Sequence, residues 1–101
     1  HIDNAYYLSD VEITARVCRT NIPSNTAFRG FGGPQAIAII ENIIEEIAAT
    51  LGIDSFEVRM RNLYGVDERN QTPYGQIFVR NHLPEILPTL AATSHYMQRR
   101  K

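Results

Sequence analysis

The residues best suited to chemistry in this chain lie together between Thr26 and Gln35, in the run Ala27-Phe28-Arg29-Gly30-Phe31-Gly32-Gly33-Pro34-Gln35. The three glycines permit backbone angles closed to other residues and let the chain pass close to a ligand. Proline is suited to the first position of a helix, so Pro34 predicts that the loop leads directly into a helix N-terminus. Free N–H groups and the helix dipole there favour an anion or an oxo group. Arg29 adds a permanent positive charge with several donors. Phe28 and Phe31 add flat faces on which a planar heterocycle can stack. The chemistry these residues could serve is binding of an anionic, planar ligand. A purely structural turn would use the same glycines, and neither Gly-x-Gly-x-x-Gly nor Gly-Lys-Ser/Thr occurs. On the residues alone both readings stand.

The elements around this loop must position it. Val11, Ile13, Ala15 and Val17 alternate with Glu12, Thr14, Arg16 and Cys18, which predicts a half-buried strand over Val11–Thr20. Cys18 is expected as a small packed residue on its more polar side. A strand needs a partner, either from the Tyr64–Val79 region or from self-association through Val11–Val17. Residues 21–34, rich in Asn, Pro, Ser and Gly, form a loop. From Pro34, Ile37, Ile40, Ile44, Ile47 and Leu51 recur at spacings of three and four, a helical apolar stripe that Gly52 ends. Asp54 and Glu57 have capping-box spacing for a second helix carrying Phe56, Val58, Met60 and Leu63, with Arg59 and Arg61 outward. Tyr64–Phe78 reads as an extended loop. A last helix from Leu83 is expected to kink or restart at Pro88, which has no N–H to donate. The fold class is therefore α+β: one or a few strands leading through a Gly-rich loop into amphipathic helices, as a partial domain.

Size and charge narrow the function. A chain of 101 residues with 44% hydrophobic residues holds one small core or part of one. A net charge of −1 supplies no basic field for nucleic acid. Arg99-Arg100-Lys101 reads as a solvated helix end. No apolar run is long enough for a transmembrane helix. The single Cys18 allows no internal disulfide and suits a reducing cytoplasm, and without a ligand cluster it makes no zinc site.

Thr26 to Gln35 resembles the signature loop in the molybdenum-binding domain or subunit of the xanthine dehydrogenase/oxidase family of molybdenum hydroxylases. The resemblance covers nearly the whole chain. Asp3-Asn4-Ala5-Tyr6 is similar to that family's Asp-Asn-x-Tyr, and Cys18-Arg19-Thr20-Asn21 to its Cys-Lys/Arg-Thr-Asn. Glu57-Val58-Arg59, Arg61-Asn62-Leu63-Tyr64 and Tyr96 with the basic end also match.

The resemblance implies that residues 1–101 are a fragment of the molybdenum-cofactor-binding domain, and that the loop contributes to a molybdenum and purine site. It places Arg29 beside molybdenum, in contact through its backbone, and Phe31 against the purine ring. Ala27, Phe28 and Gly30 would shape the cofactor loop. Packing inside the loop is the better reading of the Phe28 ring itself. The implied cofactor is molybdenum-molybdopterin, and the parent enzyme would also carry 2Fe–2S clusters and FAD on other segments. Its partners would be the remainder of the molybdenum domain or other subunits, and a purine. No catalytic residue is implied here, because the family's catalytic glutamate lies nearer the natural C-terminus. Glu41, Glu45, Glu46 and Glu57 read as helix surface or cap. Phe28-Arg29 and Pro34-Gln35 match the purine-type loop. Carbon monoxide dehydrogenases and many aldehyde-oxidising relatives have Tyr-Arg and commonly Pro-Glu there, and animal aldehyde oxidases often carry a bulkier residue at Gly33. A stand-alone remnant or assembly module, and part of an aldehyde oxidase, are the alternatives.

Overall fold

The computed structural model describes residues 1–100. The element order is α1 (Gly33–Leu51), α2 (Ser55–Asn62), α3 (Leu83–Thr93) and α4 (Tyr96–Arg99). α1 opens with proline in its first turn and ends at Gly52, whose φ of 65° places it in the left-handed region. There its N–H reaches the carbonyls of Ala48 and Ala49 and closes the helix end. Asp54 then caps α2, its Oδ1 accepting from Phe56 N at 2.7 Å. Only half of the predicted capping box forms, because Glu57 pairs with Arg61 instead of returning to the cap.

α1 and α2 pack against each other across the short Gly52–Asp54 connection. Ile40, Ile44 and Ala48 on α1 meet Val58 on α2, together with Tyr6 and Leu63. Ile2, Ala5, Ile53, Met60, Leu83 and Leu87 flank this cluster. The N-terminal residues join through a single antiparallel bridge, Tyr6 to Leu63, with Tyr7 N donating to Asn62 O and Tyr64 N to Ala5 O. Gln71 and Ile77 form the other isolated bridge, inside the 64–78 loop.

The strand expected over Val11–Thr20 is absent. Among the described residues no strand forms, and residues 8–27 take part in no backbone–backbone hydrogen bond. The reason is pairing. A strand is held by a ladder to a neighbour, and the 64–79 region bonds to itself and, at Tyr64, to Ala5, but not to residues 11–20. The fold is mostly helical, so the α+β reading is corrected on this point. Cys18 is exposed rather than packed.

Three further expectations change. The last helix runs through Pro88 and neither stops nor restarts there. The break falls at His95, whose φ of 53° separates α3 from α4. Arg59 is not outward: it turns back onto α1, as described below. Arg100 is not simply solvated either, because it pairs with Asp54 at 2.8 Å. Lys101 lies outside the described residues.

The molecule is open for its length. Its radius of gyration is 16.3 Å, against about 13 Å for a compact chain of this size. Its accessible surface is 8441 Å², against about 5800 Å² expected for a folded monomer of this mass. Much of the excess is apolar: Ile39, Ile43, Ile47 and Leu51 form a second stripe on α1 that stays open among the described residues, each 40% exposed or more.

Candidate functional site

The loop before α1 is built from two consecutive tight turns. Phe31 N donates to Phe28 O at 3.1 Å, and Gly33 N donates to Gly30 O at 2.8 Å. In the first turn Gly30 occupies the third position with φ 98°, which a type II turn reserves for glycine. A side chain there would also collide with the proline ring, since an added Cβ would lie 2.9 Å from Pro34 Cδ. In the second turn Phe31 and Gly32 both have positive φ, 45° and 79°. A bulky residue is strained there, and such strain clusters at functional positions.

This backbone decides where the side chains lie. Phe28 is 88% exposed and Phe31 79% exposed. The expected packing of the Phe28 ring is thus overturned: the turn pushes it into solvent. Arg29 makes no ion pair or side-chain hydrogen bond among the described residues. Thr26, Phe28, Arg29, Phe31 and Gln35 line an open cleft of about 370 Å³. Within it the N–H groups of Gly32 and Gln35 donate to no acceptor among the described residues. Gly33 is the first residue of α1, and a Cβ built on it would meet nothing within 4 Å. Ala27, Phe28, Arg29, Gly30 and Phe31 therefore sit in one compact turn whose glycines and proline set its path.

Sequence reasoning missed a second cluster, at the junction of α1 and α2. Arg59 on α2 reaches Glu41 Oε2 at 2.8 Å and Glu45 Oε1 at 2.7 Å on α1. Glu41 Oε1 also accepts from the Tyr6 hydroxyl at 2.6 Å and from Asn4 Nδ2 at 3.1 Å. The Arg59 guanidinium holds the Glu45 carboxyl below its usual range. Burial, with the Glu41 carboxylate beside it, pushes the Tyr6 phenol well above its usual value. Glu41 and Glu45 therefore join the first helix to the second and do not simply face solvent. The available signal was the paired spacing of Glu41 and Glu45 on one helical face opposite an arginine. A third group, Asp3, is buried and accepts from the Tyr64 hydroxyl at 3.1 Å. Burial, with Asp3 next to it, takes the Tyr64 phenol up to about 12.

No group of three or more His, Cys, Asp or Glu side chains among the described residues is arranged to hold a metal ion. The helices are also too short or too polar to cross a membrane, again among the described residues.

Residues 1–63 match the family model of the molybdopterin cofactor-binding domain. The chain belongs to that family. Over nearly its whole length it is similar to curated molybdenum hydroxylases. It is 46% identical over 99 residues to a xanthine dehydrogenase of Dictyostelium discoideum, covering 98% of this chain and 7% of that protein. It is 46% identical over 102 residues to a nicotinate hydroxylase of Emericella nidulans, covering 100% of this chain and 7% of that protein. It is 44% identical over 99 residues to aldehyde oxidase 1 of Macaca fascicularis, again 98% of this chain and 7% of that protein. The chain thus spans a small part of the length of the relatives it matches. Identity is nearly equal across relatives named for three different substrates, so overall identity does not separate them.

The residues present fit a molybdopterin cofactor on one side only. Exposed aromatic faces, the Arg29 guanidinium and unpaired loop N–H groups suit an anionic, planar group. An open cleft cannot enclose it, since ligand sites bury most of their ligand's surface. Residues 1–63 thus represent a part of the molybdopterin cofactor-binding domain.

Proposed function

We propose that this chain supplies the wall of a molybdenum and purine site in a xanthine dehydrogenase-like hydroxylase, as a stretch of its molybdenum-cofactor domain. The observation that carries the reading is the turn itself. It holds two phenylalanine rings almost fully exposed beside an unpaired arginine, with Phe31 kept in a strained conformation. Leaving such surface in water is unfavourable unless a ligand or another segment covers it.

In this reading the Arg29 backbone lies nearest molybdenum and the Ala27-Phe28-Arg29-Gly30 turn borders the cofactor. Phe31 presents its ring to the purine and orients it by stacking. When bound, the molybdenum cofactor would supply the redox chemistry that hydroxylates a purine carbon with oxygen from water. The chain's own contribution is to bind, orient and exclude water on one side. It holds no assigned base: Glu41 and Glu45 are engaged by Arg59, and Glu57 by Arg61. The base, the 2Fe–2S clusters and the FAD belong to other parts of the parent protein, and the excess exposed surface is consistent with such neighbours. A cytoplasmic setting rests on the lone, unpaired Cys18.

An aldehyde substrate is the second reading. It stands beside the first because the 44% identity to an aldehyde oxidase is close to the 46% identity to a xanthine dehydrogenase. The deciding experiment measures molybdenum by elemental mass spectrometry in the full polypeptide that contains this segment, then compares xanthine with an aldehyde as substrate. Near-stoichiometric molybdenum with xanthine turnover, lost in Phe31→Ala, supports the purine site. Molybdenum with aldehyde turnover alone supports the second reading. No molybdenum in a cofactor-competent host leaves a binding or assembly module.

A further inference from the structure

We propose that Glu41, gripped by Tyr6 and Arg59, is a positioning residue for the cofactor turn: it fixes the orientation of α1, and through α1 the direction in which the Phe31 ring faces the substrate. The turn moves with α1 as one body. Gly33 N donates to Gly30 O at 2.8 Å and Ala36 N to Gly32 O at 3.1 Å, so the turn runs without a joint into the helix. The Pro34 ring packs against Gly30, where no side chain fits. Whatever fixes α1 therefore aims Phe31. Between Gly33 and Ile40 no residue of α1 is buried among the described residues, and Ile37 and Ile39 are 41% and 51% exposed. The first points at which this chain holds the helix are Ile40 and Glu41, about 12 Å along the axis from Gly33.

The two points act differently. Ile40 packs with Ile44 and Ala48 in the apolar core, and apolar attraction is non-directional. Charge-assisted hydrogen bonds carry geometric specificity, so they set how far a helix is turned about its axis. Glu41 receives donors from two sides. The Tyr6 hydroxyl at 2.6 Å and Asn4 Nδ2 at 3.1 Å reach Oε1, and Arg59 Nε at 2.9 Å reaches Oε2. These donors share one frame. The Tyr6–Leu63 bridge, with Tyr7 N on Asn62 O at 2.8 Å, joins the N-terminal segment to the end of α2, which carries Arg59. Arg59 extends the grip by one helical turn, to Glu45 at 2.7 Å. Releasing the carboxylate from one side lets α1 turn or tilt on its apolar contacts, and the Phe31 ring moves most because it lies beyond the helix end. A misplacement of about 1 Å caused by a remote change can cost about a hundredfold in rate. This role rests on the reading of the turn as a wall of the site.

The test is steady-state turnover of the full parent polypeptide, expressed per bound molybdenum, for wild type, Tyr6→Phe and Glu41→Gln. Tyr6→Phe removes one hydroxyl and keeps the buried ring. Glu41→Gln keeps the shape and removes the charge. Each should bind molybdenum as wild type does, yet lose about tenfold or more in kcat per molybdenum, with a smaller change in KM. Arg61→Ala, which breaks only the exposed pair with Glu57, should leave both constants unchanged. A merely structural role would lower molybdenum content or melting temperature while each bound molybdenum still turned over normally, and that result overturns the proposal. So does normal metal with a normal rate. Phe31→Ala in the same polypeptide separates the two readings. If it loses turnover and the Tyr6 and Glu41 variants do not, the positioning role alone fails. If it too turns over normally, the wall reading fails and the positioning role falls with it.

Discussion

Tyr6 donates its hydroxyl to Glu41 Oε1 at 2.6 Å across 35 residues of sequence, and the other oxygen of the same carboxylate receives Arg59. One carboxylate on α1 thereby ties down both the N-terminal segment and α2. Arg59 and Glu41 side chains are only 23% and 30% exposed. Ordinary surface ion pairs are worth less than about 1 kcal/mol. Removing Arg59 leaves a half-buried carboxylate short of donors, a loss of about 1–3 kcal/mol. Arg59→Ala should therefore lower the melting temperature by about 4–8 °C for each kcal/mol lost. Arg61→Ala, on an exposed pair, should change it little. Thermal melts of the two variants side by side decide the matter.

Phe31→Gly should separate stability from function. Glycine relieves the positive φ of 45°, a conformation that costs other residues roughly 1–2 kcal/mol. The variant should melt no lower than wild type, while the full parent polypeptide loses purine turnover with the aromatic face. Equal turnover with and without the ring would remove Phe31 from the site.

Gly30→Ala should have the opposite pattern. The added methyl meets Pro34 at 2.9 Å and the residue sits at φ 98°, so the turn must rearrange. The α1–α2 core lies away from this turn, and its cooperative melt should persist. Molybdenum content and turnover of the parent should fall together. A variant with normal metal and rate would show that the turn's path is not needed.

Asp54 predicts an acid limb in stability. Burial alone pushes its carboxyl up. The Phe56 N–H, the Tyr96 hydroxyl and the Arg100 guanidinium outweigh this and hold it below its ordinary 3.8. The group's folded-state value is depressed, so its contribution is complete above about pH 4 and fades as pH falls through the lowered value. Asp54→Asn should flatten stability against pH in that acid range and leave the curve near neutrality parallel to wild type. Denaturant unfolding across pH 2.5–6 reads it directly. An unchanged acid limb would assign the effect to other carboxylates.

Local signals determined much of this protein. The stripe Ile37, Ile40, Ile44, Ile47 and Leu51, Pro34 ahead of it and Gly52 behind it specify α1 nearly to the residue, because helix periodicity and capping are properties of neighbours in sequence. The composition of Thr26–Gln35 likewise marked the loop, since glycine and proline constrain the backbone wherever they stand. Tertiary structure alone decided the rest. Alternation over Val11–Val17 states only that a strand would have two unlike faces, and whether one forms depends on a ladder partner from elsewhere in space. The inward turn of Arg59 depended on Glu41 and Glu45 arriving opposite it when α1 and α2 packed. The exposure of Phe28 followed from the sense of a turn fixed by Gly30 against Pro34. Pairing, ion-pair choice and side-chain direction each involve groups distant along the chain, and sequence pattern carries no distance between them.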